Sequence, residues 1–168
     1  MIREIQFEYD NQKSIEVLLY ISQRLSNVYY VLKAIYFADK RHLERYGRFI
    51  TGDRYVAMEK GPVPSGAYDI VKDVRDRRTG SYDADFRIVG NKINALRKPN
   101  TDMLSISDIQ CLDEAIEEIS PLSFDILIRK SHDDAYRAAD ENDFISVEDI
   151  INTLSCKDAL LKHLTECG

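Results

Sequence analysis

Residues 33–69 read KAIYFADKRHLERYGRFITGDRYVAMEKGPVPSGAYD, and the parsing of this stretch decides the fold. It describes a helix that ends at Gly47, a glycine-punctuated connection, and a double-proline turn feeding a second helix. Asn27 is placed to cap the first helix and Gly47 to stop it. At about 100° per residue, Val28, Leu32, Ile35, Leu43 and Tyr46 form one apolar stripe. Asp39 and His42 fall inside that stripe. Tyr30 and Phe37 fall on the opposite face, among Lys33, Lys40, Arg41 and Glu44. The helix therefore carries polar groups where a core belongs and aromatics where water belongs. The stiff turn close behind Asp39 and His42 suggests that both are buried and hold Gly61-Pro62-Val63-Pro64 against the helix. Neither proline of that turn donates a backbone hydrogen bond, each biases the residue before it to extended geometry, and Gly61 is free to take positive φ.

Outward from this stretch the pattern is helical. Asp10 caps a first helix through SIEVLLYISQRL, with Ile15, Leu18, Leu19 and Ser22 on one face. The short connection to the next helix makes the two neighbours in space. Residues 1–9, with Ile2, Ile5 and Phe7 apolar, carry no assignment. Tyr55 to Met58 reads as a short extended segment, and Ser65 as the cap of a helix through AYDIVKDVRDR. Arg77 to Asp85 is a loop. FRIVGNKINAL forms a β-hairpin around Gly90-Asn91. A linker follows, then an amphipathic helix capped by Ser105 or Ser107, which Pro121 breaks. The next helix is expected to run from Pro121 through Phe124, Leu127 and Ile128 to Ala135 and Ala139, with SHDDAY in its second half. SVEDIINTL and CKDALLKHL give two more short helices. The expected fold is mainly α, of α+β class, a compact multi-helix domain over residues 1–140 with a small antiparallel hairpin. Residues 141–168 form a helical extension packed on it.

The 168 residues suffice for one buried core. With 44% hydrophobic and 31% charged residues the chain reads as soluble and globular. No apolar run approaches the ~18 residues of a membrane span, and the start of the sequence lacks the apolar core of a secretory signal. Cys111, Cys156 and Cys167 show no CxxC spacing, which indicates neither a disulfide framework nor a zinc ribbon. A reducing, cytoplasmic setting follows. The net charge of −6 is unevenly spread. Residues 33–98 carry 15 Lys/Arg against 9 Asp/Glu, and residues 99–168 carry 5 against 16. Such a split marks either a surface for a charged partner or two faces that attract each other within the fold; the second reading is preferred.

Three constellations carry possible chemistry. Asp39 and His42 with His132 and Asp133 have the residue types of a metal-dependent phosphohydrolase. The preferred alternative is a buried Asp39–His42 pair, one turn apart, satisfying each other and the backbone of the following loop. Lys40, Arg41, Arg45 and Arg48, with Lys72, Arg75, Arg77, Arg78 and the nearby Tyr29 and Tyr30, have the composition of a basic nucleic-acid patch. The acidic protein as a whole argues against a nucleic-acid regulator. There is no glycine-rich phosphate loop and no nucleophile elbow. The third constellation is an interface: Tyr30 and Phe37, framed by Lys33, Lys40 and Arg41, as exposed anchors for a protein partner. Were Phe37 buried instead, the partner surface would lie elsewhere, with the acidic C-terminal half as its expected place.

The same residues resemble a known family. Tyr36-Phe37, His42, Tyr46-Gly47, Gly61-Pro62-Val63-Pro64, Ser131-His132 and Asp134-Tyr136 are similar to the motif set of the Panacea domain, the SocA-like antitoxin family of bacteria and phages. The resemblance covers roughly residues 12–139, and its centre is Asp39, His42, Tyr46, Gly47, the Gly61–Pro64 turn and His132. Tyr136 stands where a tryptophan is more usual. The resemblance implies a mainly helical fold with a small β element and no enzymatic activity or cofactor. It also implies a protein partner: a toxin neutralised by direct binding, in the founding type with delivery to a protease. No membrane, nucleic acid or small-molecule substrate is expected.

Overall fold

The computed structural model describes residues 4–166. Ile2 and Cys167 lie outside them. Helix α2 (Val28–Tyr46) is the central element. The Asn27 side chain accepts from the backbone N–H groups of Tyr29 and Tyr30, and Gly47 ends the helix in the left-handed region at φ 75°. Helix α1 (Asn11–Ser22), capped by Asp10, precedes it. Beyond Gly47 the chain turns back into strand β1 (Tyr55–Met58), which pairs antiparallel with β2 (Gly61–Pro64). The partners run from Tyr55↔Pro64 to Met58↔Gly61, so Glu59 and Lys60 form the turn.

The GPVP segment is thus an edge strand, and its two prolines sit where an edge tolerates them. In this register the pairs flanking the two-residue turn alternate in bonding, so positions 62 and 64 point their backbone groups away from β1. No ladder bond is lost to either ring. On the other side of β1 lies β5 (Phe144–Ile145), a two-residue strand that the hydropathy pattern does not show. The sheet order is β2-β1-β5.

Helix α3 (Ser65–Asp76) follows β2 directly, and Ser65 is not its cap. The first-turn N–H groups, which lack intrahelical partners, are met from a distance: Asp53 accepts from Gly66 N at 2.8 Å and Ala67 N at 2.9 Å. A carboxylate at a helix start also suits the helix dipole. The expected hairpin is present as β3 (Phe86–Val89) and β4 (Lys92–Ala95) around Gly90-Asn91. Its tip is tied to the start of α2, where Val28 N donates to Asn91 O and Ile93 N to Ser26 O.

Helix α4 (Ile106–Ile119) begins with a capping box in which Ser105 and Asp108 satisfy each other's backbone N–H groups. The single helix expected after Pro121 is two, α5 (Phe124–Ser131) and α6 (Asp134–Ala138). The chain breaks at His132-Asp133 because Asp133 accepts from Tyr136 N and caps a new helix. Helices α7 (Val147–Ile151) and α8 (Lys157–Glu166) complete the chain. Ile150 and Ile151 are buried, and Cys156 Sγ donates to Glu44 O on α2.

Helix α2 packs against α4, β2, α5, α7 and α1. Its buried residues fall on every face: Val31, Leu32 and Ile35, but also Lys33, Tyr36 and Phe37. The two-faced helix read from the sequence is a helix packed all round.

Candidate functional site

The polar residues in the stripe of α2 are interior fasteners. Asp39 is fully buried; its carboxylate accepts from Ile50 N at 2.7 Å and from the Tyr55 hydroxyl at 2.6 Å. Burial pushes its pKa up to about 7, opposed by those two donors, and burial likewise raises the Tyr55 phenol. His42 is also fully buried. Its Nδ1 lies 2.9 Å from the Arg48 carbonyl, which only accepts, so the proton sits on Nδ1. Nε2 then accepts from the Ser107 hydroxyl at 2.9 Å, with the Asp108 carboxylate 3.3 Å away and acting to raise the ring's pKa. Burial holds the ring below its usual pKa, which agrees with a neutral imidazole. Both side chains are buried as expected, and both bind the loop after Gly47. They do not bind each other, and they do not hold the GPVP segment. Tyr46 packs its ring 4.7 Å from His42 and remains half exposed.

The residue that holds GPVP is Lys33. Only 2% of it is exposed, and its Nζ donates to Pro62 O at 2.8 Å. That carbonyl is one of the edge groups turned away from β1, so the ammonium takes the place of a neighbouring strand. No carboxylate among the described residues pairs with it. Burial alone pulls its pKa down to about 7.

The two halves of the motif meet at this turn. Gly61 has φ 107°, and a Cβ there would lie 2.5 Å from Ser131 Oγ, 3.0 Å from Lys33 Nζ and 3.3 Å from the His132 ring. Glycine is therefore required twice over, by conformation and by space. His132 stacks on Tyr136 with centroids 4.3 Å apart, and Tyr136 donates to Met58 O at 2.8 Å. Asp133 accepts from Tyr36 OH at 2.6 Å and from Lys40 at 2.9 Å. Burial and the nearby Lys33 lower the His132 pKa, and its buried Nε2 has no hydrogen-bond partner. Pro64 leads into α3, and Val63 is buried beneath the turn.

Asp39, His42, His132 and Asp133 thus serve separate contacts. Among the described residues no group of three or more His, Cys, Asp or Glu side chains is arranged to hold a metal.

The expected anchor surface on α2 is also corrected. Phe37 is 7% exposed and Lys33 is buried. The Tyr30 hydroxyl donates to Leu122 O at 2.6 Å. Lys40 pairs with Asp133, and Arg41 with Glu118 at 2.6 Å. Arg45 pairs with Glu114, and Arg48 reaches Asp108, which Lys13 also contacts. The polar face of α2 looks at α4 and the break after α5, whose carboxylates match its cations. A wheel drawn on one helix cannot reveal a partner helix that begins at Ile106. The basic and acidic halves of the sequence meet inside the fold, as preferred above.

A hollow of about 210 Å³ lies beside the motif junction. The N-terminal half of α2, the β1–β2 turn, α3 and the hairpin tip enclose it, with Leu32 and the Lys33 stem at its base, Tyr29, Met58 and Tyr68 in its walls, and Lys60 at its rim. No periodicity of the sequence marks it, because its walls come from four separate elements.

Among the described residues no helix is long and apolar enough to cross a membrane. No curated protein and no solved structure matches the chain. Residues 31–136 match the family model described as antitoxin SocA-like, Panacea domain. That span runs from the first turn of α2 to the Tyr136 that stacks on His132, and it contains both halves of the junction around Gly61. The chain therefore belongs to the SocA-like antitoxin family and carries its Panacea domain.

Proposed function

We propose that this protein is an antitoxin-type binding module that neutralises a cognate toxin by direct contact, without catalysing a reaction. The observation that carries this reading is the use made of the motif residues. Within the family-matched span, Lys33, Asp39, His42, Gly61 and Asp133 are engaged in or shaped by contacts internal to the fold. The motif centre, on this reading, builds a rigid frame, and the frame presents a surface to a partner protein.

The test is co-expression with the product of the neighbouring reading frame. Growth arrest by that product, relieved by this chain, with recovery of the two as a complex, is the expected result. Failure of both relief and co-purification overturns the reading. The toxin level in rescued cells separates two modes. Sequestration leaves the toxin present and bound; delivery to a protease removes it, and loss of the protease restores it.

A further inference from the structure

We propose that the hollow between α2, the β1–β2 turn, α3 and the hairpin tip receives one large apolar side chain from an acidic segment of the partner protein. The inference rests on the antitoxin reading and gives that reading a surface. Size is the first argument. At about 210 Å³ the hollow exceeds the ~150 Å³ that accepts a benzene ring. It falls short of the roughly 300–1,000 Å³ of sites for drug-sized molecules. One phenylalanine- or leucine-sized group fits that interval.

Composition is the second argument. Tyr29, Tyr68, Met58 and Arg75 line the hollow, and aromatic residues, methionine and arginine are the types enriched at interfaces. Tyr29 is itself braced edge-on against Phe124 at 5.3 Å. A shallower depression, lined by Phe124, Ile128 and Arg129, adjoins it and shares Lys60, so the concave surface continues past a single side chain.

Charge is the third. Lys60, Arg75 and Arg129 edge the two depressions, against the carboxylates of Glu59 and Asp125. Arg75 is engaged by the Tyr68 hydroxyl and lies 3.6 Å from Asp76. Lys60 and Arg129 make no ion pair among the described residues. These cations contrast with those of the neighbouring α2 face, which the fold pairs internally. Carboxylates flanking the inserted side chain are the complement that such a rim selects.

The test is an NMR titration of the isotope-labelled full chain with three blocked pentapeptides: Asp-Glu-Phe-Glu-Asp, the same with Ala for Phe, and Lys-Lys-Phe-Lys-Lys. Expected are shifts at the amides of Tyr29, Lys60, Tyr68 and Asn91 with the first peptide. The Ala peptide should bind about tenfold more weakly, the loss of one anchor side chain, and the basic peptide should not bind. Lys60→Glu and Tyr68→Ala should each weaken the first peptide while the spectrum stays that of a folded protein. No shifts at millimolar peptide, shifts on another face, or equal binding of acidic and basic peptides would overturn the proposal. Growth rescue that survives loss of peptide binding sinks this site and leaves the antitoxin reading standing. Peptide binding without rescue does the reverse.

Discussion

Lys33 and Asp39 are ionisable groups in the same helix, both buried, neither with an opposite charge beside it, and their effects on stability run in opposite directions with pH. Lys33 has its folded pKa lowered from 10.5 to about 7. Between those values the unfolded chain binds the proton and the folded one does not, so stability rises with pH across pH 7 to 10.5. Asp39 is raised from 3.8 to about 7. Between those values the folded chain keeps the proton that the unfolded chain has lost, so this group lowers stability as pH rises across that window. Replacing Lys33 by Met should remove the alkaline gain. Denaturant titrations of parent and variant should diverge by up to about 1.4 kcal/mol per pH unit above pH 7, with the parent gaining; parallel curves would refute a buried amine. His42→Ala should cost about 1–3 kcal/mol, because the Arg48 carbonyl and Ser107 hydroxyl lose their partner. A melting curve unchanged from the parent would contradict the burial of that ring. Period alone made the burial of Asp39 and His42 legible. The role of Lys33 was not legible, since it shares a wheel face with Lys40 and its acceptor lies 29 residues away.

Elements show the same divide between what local chemistry dictates and what distance hides. Asn27, Gly47, Ser105 and the Gly90-Asn91 turn mark their own boundaries, because a cap or a tight turn is a local bargain between neighbouring residues. Strand β5 is two residues long and exists only because β1 offers an edge. The start of α3 depends on Asp53, a carboxylate supplied from the loop before β1. The break between α5 and α6 is not legible in the sequence, because 121–139 has helical periodicity throughout, yet Asp133 serves as a cap and also answers Tyr36 and Lys40 from α2. Asp133→Ala should therefore cost about 2–4 kcal/mol in equilibrium unfolding, a lost cap together with a lost acceptor for a buried hydroxyl. Arg45→Ala should cost less than about 1 kcal/mol, because the Arg45–Glu114 pair is 38% exposed on each side and screened by water. Equal costs for the two variants would contradict that ranking and put the α2–α4 charges on a par with the α5–α6 junction.

At the scale of the whole molecule, the lopsided charge of the sequence is an internal complementarity. Cations of α2 face carboxylates of α4 and of the α5–α6 break, which leaves Lys40, Arg41, Arg45 and Arg48 engaged where phosphates would need them free. Binding to duplex DNA or to RNA is accordingly expected to stay weaker than micromolar at moderate salt. A tight complex that dissolves steeply as salt rises would reverse that assignment. The helix packed on every side has one more consequence, for the order in which the protein can come into being. Helix α2 is made early in synthesis, but the partners of its cations are made late: Glu114 and Glu118 from α4, and Asp133 from the α5–α6 break. A nascent chain that has reached only Leu104 lacks the carboxylates that pair with Lys40, Arg41, Arg45 and Arg48. Closure must await contacts of long sequence separation, the kind that form slowly. The face of α2 that carries Lys40, Arg41 and Arg45 is therefore completed only by residues made 69 or more positions later in the chain.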